Sequence, residues 1–189
     1  MHVEHQLNHF SLISRLFGNL FARAPQDPVL AEVFIWLRQK GLSRVWALET
    51  DAQSRQALDS LQMPLDLLAL EKEYQRLFGG EHPQVSPTLS AYGLDVAEFV
   101  DFRAQRGMPA AESADRFSFV FLTASWIEDN LDSLSAQKAL FEHFLLPCAT
   151  KFLPLVEAKA ALPFYRSLAR LSTDILSAMA DELEESGTE

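Results

Sequence analysis

Apolar residues recur at helical spacing along nearly the whole chain. Leu7, Phe10, Phe17 and Phe21, with Ile13 and Leu20 beside them, lie on one face of a helix. Ala24-Pro25-Gln26-Asp27-Pro28 breaks that run. A second helix is predicted over about 28–40, stopping at Gly41. Residues 42–62 carry Val45, Trp46, Leu48, Leu58 and Leu61, enough for one or two short helices. Pro64 suits the first turn of a third strong helix. In it Leu67, Leu70, Tyr74, Leu77 and Phe78 form one stripe, which Gly79-Gly80 terminates.

Residues 81–90 read as an extended loop, because Pro83 and Pro87 each push the preceding residue out of helical geometry. Helix resumes over 91–106 and stops at Arg106-Gly107-Met108-Pro109. The stretch 112–130 is apolar on most sides (Phe117, Phe119, Val120, Phe121, Leu122, Trp126, Ile127), as befits a helix in the middle of a bundle. Asp132 or Ser133 caps another helix, with Leu140, Phe141, Phe144, Leu145 and Cys148, and Pro147 is expected to kink it. The last helix keeps Phe164, Leu168, Leu171, Ile175 and Met179 in register, then frays into an acidic tail over 181–189. No strand pair and no repeat emerges. The pattern predicts an all-α, single-domain bundle of roughly seven to ten helices over 1–189. A hinge near Gly107–Pro109 would divide it into 1–106 and 110–189.

Composition agrees: 48% hydrophobic and 22% charged residues over 189 positions allow one domain with a full core. Charge adds more. The net charge is −10, yet residues 1–60 balance to zero, residues 61–130 carry −6 and residues 131–189 carry −4. Such a field repels nucleic acid and anionic membrane surfaces and attracts cationic peptides. Cys148 is the single cysteine, so no internal disulfide forms, and its apolar setting predicts a buried, inert thiol. The Met1-His2-Val3-Glu4-His5 start lacks a signal-peptide pattern, and no run of about 18 uninterrupted apolar residues offers a membrane span. Cytoplasmic location without membrane insertion is the expectation.

Catalytic patterns are absent: there is no nucleophile elbow, phosphate-cradling glycine loop or dinucleotide fingerprint. His2, His5 and His9 could share a helical side, but no second ligand cluster accompanies them. His82 falls in the loop, and His143 reads as a hydrogen-bonded structural histidine. Pairs such as Glu71 with Glu73 and Glu128 with Asp129 read as solvated helix faces. The chain is therefore expected to bind a protein rather than to catalyse, with no metal and no cofactor.

Over 71–92 the order is an acid (Glu71), a Tyr-x-x-Leu-Phe group (Tyr74, Leu77, Phe78), a glycine break, and a Pro-x-x-Ser-x-Tyr loop (Pro87, Ser90, Tyr92). This resembles the signature of the TorD/DmsD family of molybdoenzyme maturation chaperones. His143 to Pro147, Phe152 and the Pro163–Leu168 run resemble the family's last helices, so the likeness covers about two thirds of the chain (64–180). One departure stands out: where the family commonly has Pro-x-Asp-His after its hinge, Pro109 is followed by Ala110-Ala111-Glu112, and Arg116 falls near an acidic position of the family. Glu112 and Asp115 leave negative charge nearby. Hinge functions that need the Asp-His pair, including nucleotide binding, are thereby in doubt.

The resemblance implies an all-helical cytoplasmic chaperone. It would bind the twin-arginine leader of a molybdenum-cofactor oxidoreductase precursor, its apoenzyme, or both, before export. Glu71, Tyr74, Leu77, Phe78, Pro87, Ser90 and Tyr92 become client-binding candidates, and Asp95, Glu98, Glu112 and Asp115 candidates for the leader's arginines. Exposed ion pairs contribute about 0–1 kcal/mol each, whereas micromolar affinity requires about 8 kcal/mol. Burying about 600 Å² of apolar surface supplies about 15 kcal/mol gross, before an association cost of about 4–15 kcal/mol. Apolar contact should carry the affinity and carboxylates the orientation. Two other readings are a metal-dependent hydrolase and a regulatory helical module unrelated to molybdoenzymes. A monomer or a dimer swapped across Gly107–Pro109 is compatible with the sequence.

Overall fold

The computed structural model describes residues 2–111, 114–131 and 133–186, with side chains from His9 onward. Ten α-helical segments follow one another: α1 (His2–Ala22), α2 (Ala31–Arg38), α3 (Gly41–Val45), α4 (Ala52–Leu61), α5 (Leu67–Phe78), α6 (Val96–Gln105), α7 (Phe117–Asn130), α8 (Leu134–Leu140), α9 (Leu146–Lys159) and α10 (Pro163–Ser186). No strand occurs among the described residues. Short 3₁₀ turns precede α2 and α6, at Pro28–Leu30 and Ser90–Tyr92. A π-helical turn, Phe141–Leu145, joins α8 to α9, so the two run as one helical stretch. The architecture is an all-α, single-domain bundle around one continuous apolar core.

α7 occupies the middle, as its all-round apolar surface predicts. Its neighbour α1 runs antiparallel to it: the Ser11 hydroxyl lies 3.0 Å from that of Ser125, while Phe21 meets Phe117 with ring centroids 5.8 Å apart. Gly18 permits the close approach, since a Cβ there would stand 2.9 Å from Leu122 and 3.2 Å from the Ser118 carbonyl oxygen. The phenylalanines gather where α1, α5, α7 and α9 converge. Phe117 stacks on Phe152 at 4.2 Å, and Phe78 touches Phe21, Phe152, Tyr74 and Tyr165. Such tilted and edge-on pairs contribute beyond their buried area.

Several boundaries move, for local reasons. α5 starts at Leu67, capped by the Asp66 carboxylate, so Pro64 stands outside it. The second helix ends at Arg38, short of Gly41; Lys40 takes the left-handed conformation (φ 63°), and Gly41 opens α3 rather than serving as the terminator. α6 and α7 begin later than their apolar patterns, at Val96 and Phe117. Ser133 caps α8, accepting from the Ala136 amide at 3.1 Å; Asp132 lies outside the described residues. Pro147 has no N–H for the carbonyl four residues back, and the π turn before it absorbs that mismatch. The acidic stretch does not fray at 181, because α10 continues to Ser186.

The Leu134–Lys159 stretch is long and apolar enough to cross a bilayer by length and composition, the one such helix among the described residues. Half of its most apolar 18 residues are buried inside the bundle, where Leu140, Phe141, Leu145, Cys148 and Phe152 pack into the core.

Candidate client-binding surface

The loop between α5 and α6 is built from its ends inward. α5 stops where Gly80 takes a positive φ of 72°, a conformation glycine adopts without steric cost. The chain then folds back along α5, with Gln84 and Val85 amides bonded to the Arg76 and Leu77 carbonyls at 3.2 and 2.8 Å. Val85 and Leu89 sink into the core. The Pro87 carbonyl accepts the Phe117 amide at 2.8 Å, satisfying an N–H at the start of α7 that has no partner within the helix. Ser90 donates its hydroxyl to Asp115 at 2.6 Å and its amide to the same carboxylate at 3.0 Å. The Tyr92 hydroxyl donates to the Ser86 carbonyl at 2.7 Å, and Lys151 donates to the Tyr92 carbonyl at 3.2 Å. Burial pushes the Tyr92 phenol up to about 12, so it stays a neutral donor at physiological pH. Pro87, Ser90, Tyr92 and Asp115 thus fasten one loop to α7 and α9.

The other candidate residues sort by depth. Tyr74, Leu77 and Phe78 are buried in the aromatic cluster beneath the loop, with the Tyr74 hydroxyl bonded to the Phe21 carbonyl at 3.0 Å. Leu77 is fully buried, which leaves nothing of its side chain on the surface. Asp95 caps α6 by accepting from the Ala97 and Glu98 amides, and Glu98 is exposed one turn in. Glu71 accepts from the Gln26 amide at 3.0 Å, tying α5 to the loop after α1. Glu112 lies outside the described residues. The structure joins Ser90 to Asp115 directly and keeps Glu71 on a separate contact.

Two charged residues prove structural: Glu73, which the sequence pattern read as solvated, and Arg103, which it passed over. Glu73 is buried rather than solvated: its carboxylate accepts the Ala161 and Leu162 amides at 2.7 and 3.2 Å and pairs with Arg76 at 3.0 Å. Arg103 holds the segment after Gly107, donating to the Pro109 carbonyl at 3.0 Å and to Thr123, with its guanidinium 4.1 Å above the Phe119 ring. Desolvation lowers its pKa from the usual guanidinium range. Each shares a helix face with buried apolar residues, Glu73 with Leu70 and Leu77, Arg103 with Phe99 and Phe102. A charge in that register signals a buried partner. His143, expected to be structural, is exposed on the π turn. Among the described residues, no group of three or more His, Cys, Asp or Glu could hold a metal ion. The side chains of His2 and His5 are outside that set.

A loop fastened by hydrogen bonds and bordered by Asp115 thus lies over a packed aromatic floor. No protein-family model matches the chain. An uncharacterized protein of Haemophilus influenzae is 62% identical over 182 residues, covering 96% of this chain and 98% of the relative. Chaperone protein YcdY of Escherichia coli is 40% identical over 188 residues, 97% of this chain and 100% of the relative. The Tat proofreading chaperone DmsD of Salmonella typhimurium is 24% identical over 180 residues, 88% of this chain and 87% of the relative. The chain belongs to the TorD/DmsD-like chaperone family, with YcdY among its relatives.

Proposed function

We propose that the chain is a cytoplasmic redox-enzyme maturation chaperone. It binds the precursor of a molybdenum-cofactor oxidoreductase, through the twin-arginine leader, the apoenzyme, or both, until the cofactor is inserted. The observation that carries this reading is the Ser90–Asp115 clasp, which sets the signature loop at the surface with carboxylates around it. Asp115, Asp95 and Glu98 supply negative charge to steer guanidinium groups, and Glu112 adds to it in sequence. Glu71 braces the start of α5. Tyr74, Leu77 and Phe78 act as the floor that keeps the loop in place, and Pro87, Ser90 and Tyr92 as its fasteners.

A client recognised without its leader is a second reading. Its support is the greater likeness to YcdY, a name that states only a chaperone, than to DmsD, together with Ala110-Ala111-Glu112 in place of the family's Asp-His pair.

The test is titration of the chain with a fluorescent twin-arginine leader and, separately, with the apoenzyme carrying or lacking its leader. The client comes from native pull-down with molybdenum analysis. Asp95→Asn, Glu98→Gln and Asp115→Asn together should weaken leader binding about tenfold and flatten its salt dependence. Equal affinity for apoenzyme with and without leader selects the second reading. Failure to bind either partner removes both.

A further inference from the structure

α2 turns an unusual row of side chains to solvent. Leu30, Phe34 and Leu37 point into the core, while Glu32, Ile35 and Arg38, each three residues from the next, are exposed. The row is symmetric in charge about its apolar centre, with an acid three positions before Ile35 and a base three positions after. Among the described residues neither Glu32 nor Arg38 has a side-chain hydrogen bond or an ion pair. Among the described residues eight large apolar side chains are left exposed, and three of them lie on or beside this face: Ile35 in the row, Leu67 and Val29 at its flanks. Beside the row lies a depression of about 320 Å³, floored by Phe34 and Leu65 and edged by Ile35 and Leu67. On its other side a groove of about 290 Å³ lies between α1 and α2, lined by Leu16, Val29 and Trp36.

We infer that this face pairs with a second copy of the chain across a two-fold axis through Ile35. An axis perpendicular to the row brings Glu32 against Arg38 of the partner subunit and Arg38 against Glu32 of the partner subunit, and Ile35 meets its own symmetry mate. A two-fold interface must be self-complementary, and an acid–apolar–base row is the simplest pattern that meets this demand. A foreign helix needs no such symmetry. The charge distribution points the same way. The surplus of −10 lies entirely in residues 61–189, whereas residues 1–60, which include α2, are neutral. Within the row itself Glu32 and Arg38 cancel, so the apposed rows bring no net charge together. The two flanking depressions let the apposed rows seat against apolar walls.

The inference does not rest on the client reading, and the full chain tests it. Sedimentation equilibrium should show the 21.3 kDa chain passing to twice that mass as concentration rises. Ile35→Asp should leave a monomer. Glu32→Arg sets like charges together at both symmetry-related contacts and should weaken the dimer at least about tenfold. Combining it with Arg38→Glu restores opposite charges and should return affinity to within about threefold of the parent. All three side chains are exposed, so the variants keep the fold, which circular dichroism verifies. A chain that stays monomeric at every concentration overturns the inference. So does a dimer indifferent to Ile35→Asp, such as one exchanging helices across Gly107–Pro109, or a double reversal no better than the single.

Discussion

Replacing Glu73 with alanine should destabilise the protein far more than replacing Arg76, its ion-pair partner. The Glu73 side chain is 4% exposed, and one of its oxygens accepts both the Ala161 and Leu162 amides where the chain turns from α9 into α10. Removing the carboxylate strands two backbone donors that α10 cannot satisfy from within. Each stranded donor costs about 1–3 kcal/mol, so losing the acceptor of both costs about 2–6 kcal/mol. Arg76 is 41% exposed, so after Arg76→Ala the carboxylate keeps its two amides, and the loss should be about 1 kcal/mol. Glu73→Gln keeps an acceptor for the amides but loses the charge, and should cost about 1–2 kcal/mol. For a chain of this size 1 kcal/mol moves Tm by about 2–4 °C. Thermal unfolding should therefore place Glu73→Ala about 10 °C below the parent, with Glu73→Gln between the two. A Glu73→Ala loss below about 1 kcal/mol, or an equal loss from Arg76→Ala, would refute the reasoning that the amides, not the ion pair, are what the carboxylate serves.

Leu77→Asp should abolish folding rather than report on client binding, because a charge at a fully buried position has no partner and costs more than about 4 kcal/mol. A cooperatively folded variant by near-ultraviolet circular dichroism would contradict that. Cys148, whose thiol burial pushes up to about 12, should resist iodoacetamide at pH 8 in the native chain and react at once in urea; Cys148→Ala should leave client binding intact. Fast native alkylation would contradict the burial argument. Glu128 is raised above its ordinary 4.5, chiefly by burial, with the Asp129 and Glu182 charges adding and the Gln137 hydrogen bond opposing. Its ionisation is thus harder in the folded than in the unfolded chain, and stability falls as pH climbs from 4.5 through the raised folded value. Glu128→Gln should be the more stable protein at pH 7, with that gain shrinking to nothing below pH 4.5. Urea denaturation at the two pH values checks the sign.

By itself the sequence determined the helices and their buried faces. Spacings of three and four in Leu70, Tyr74, Leu77 and Phe78 can be satisfied by one local geometry only, and the backbone hydrogen bonds of a helix are local. The single apolar centre followed for the same reason: α7 has no polar side wide enough to face water, so other helices must surround it. Its record was poorer where an outcome depends on contacts distant in the chain. Glu73 reads as a surface carboxylate until α9 and α10 deliver the Ala161 and Leu162 amides to it, 88 and 89 positions away. Ser90 becomes a fastener because Asp115 arrives from across the α6 segment, and the Pro87 carbonyl matters because the start of α7 lacks an acceptor. The acidic candidates around the loop were legible as charge, but which would cap a helix, clamp a loop or face solvent was not. Local patterning states which side chains must leave water; only the packed chain decides which polar groups meet, since each of those bonds joins segments whose distance is set by all the helices between them.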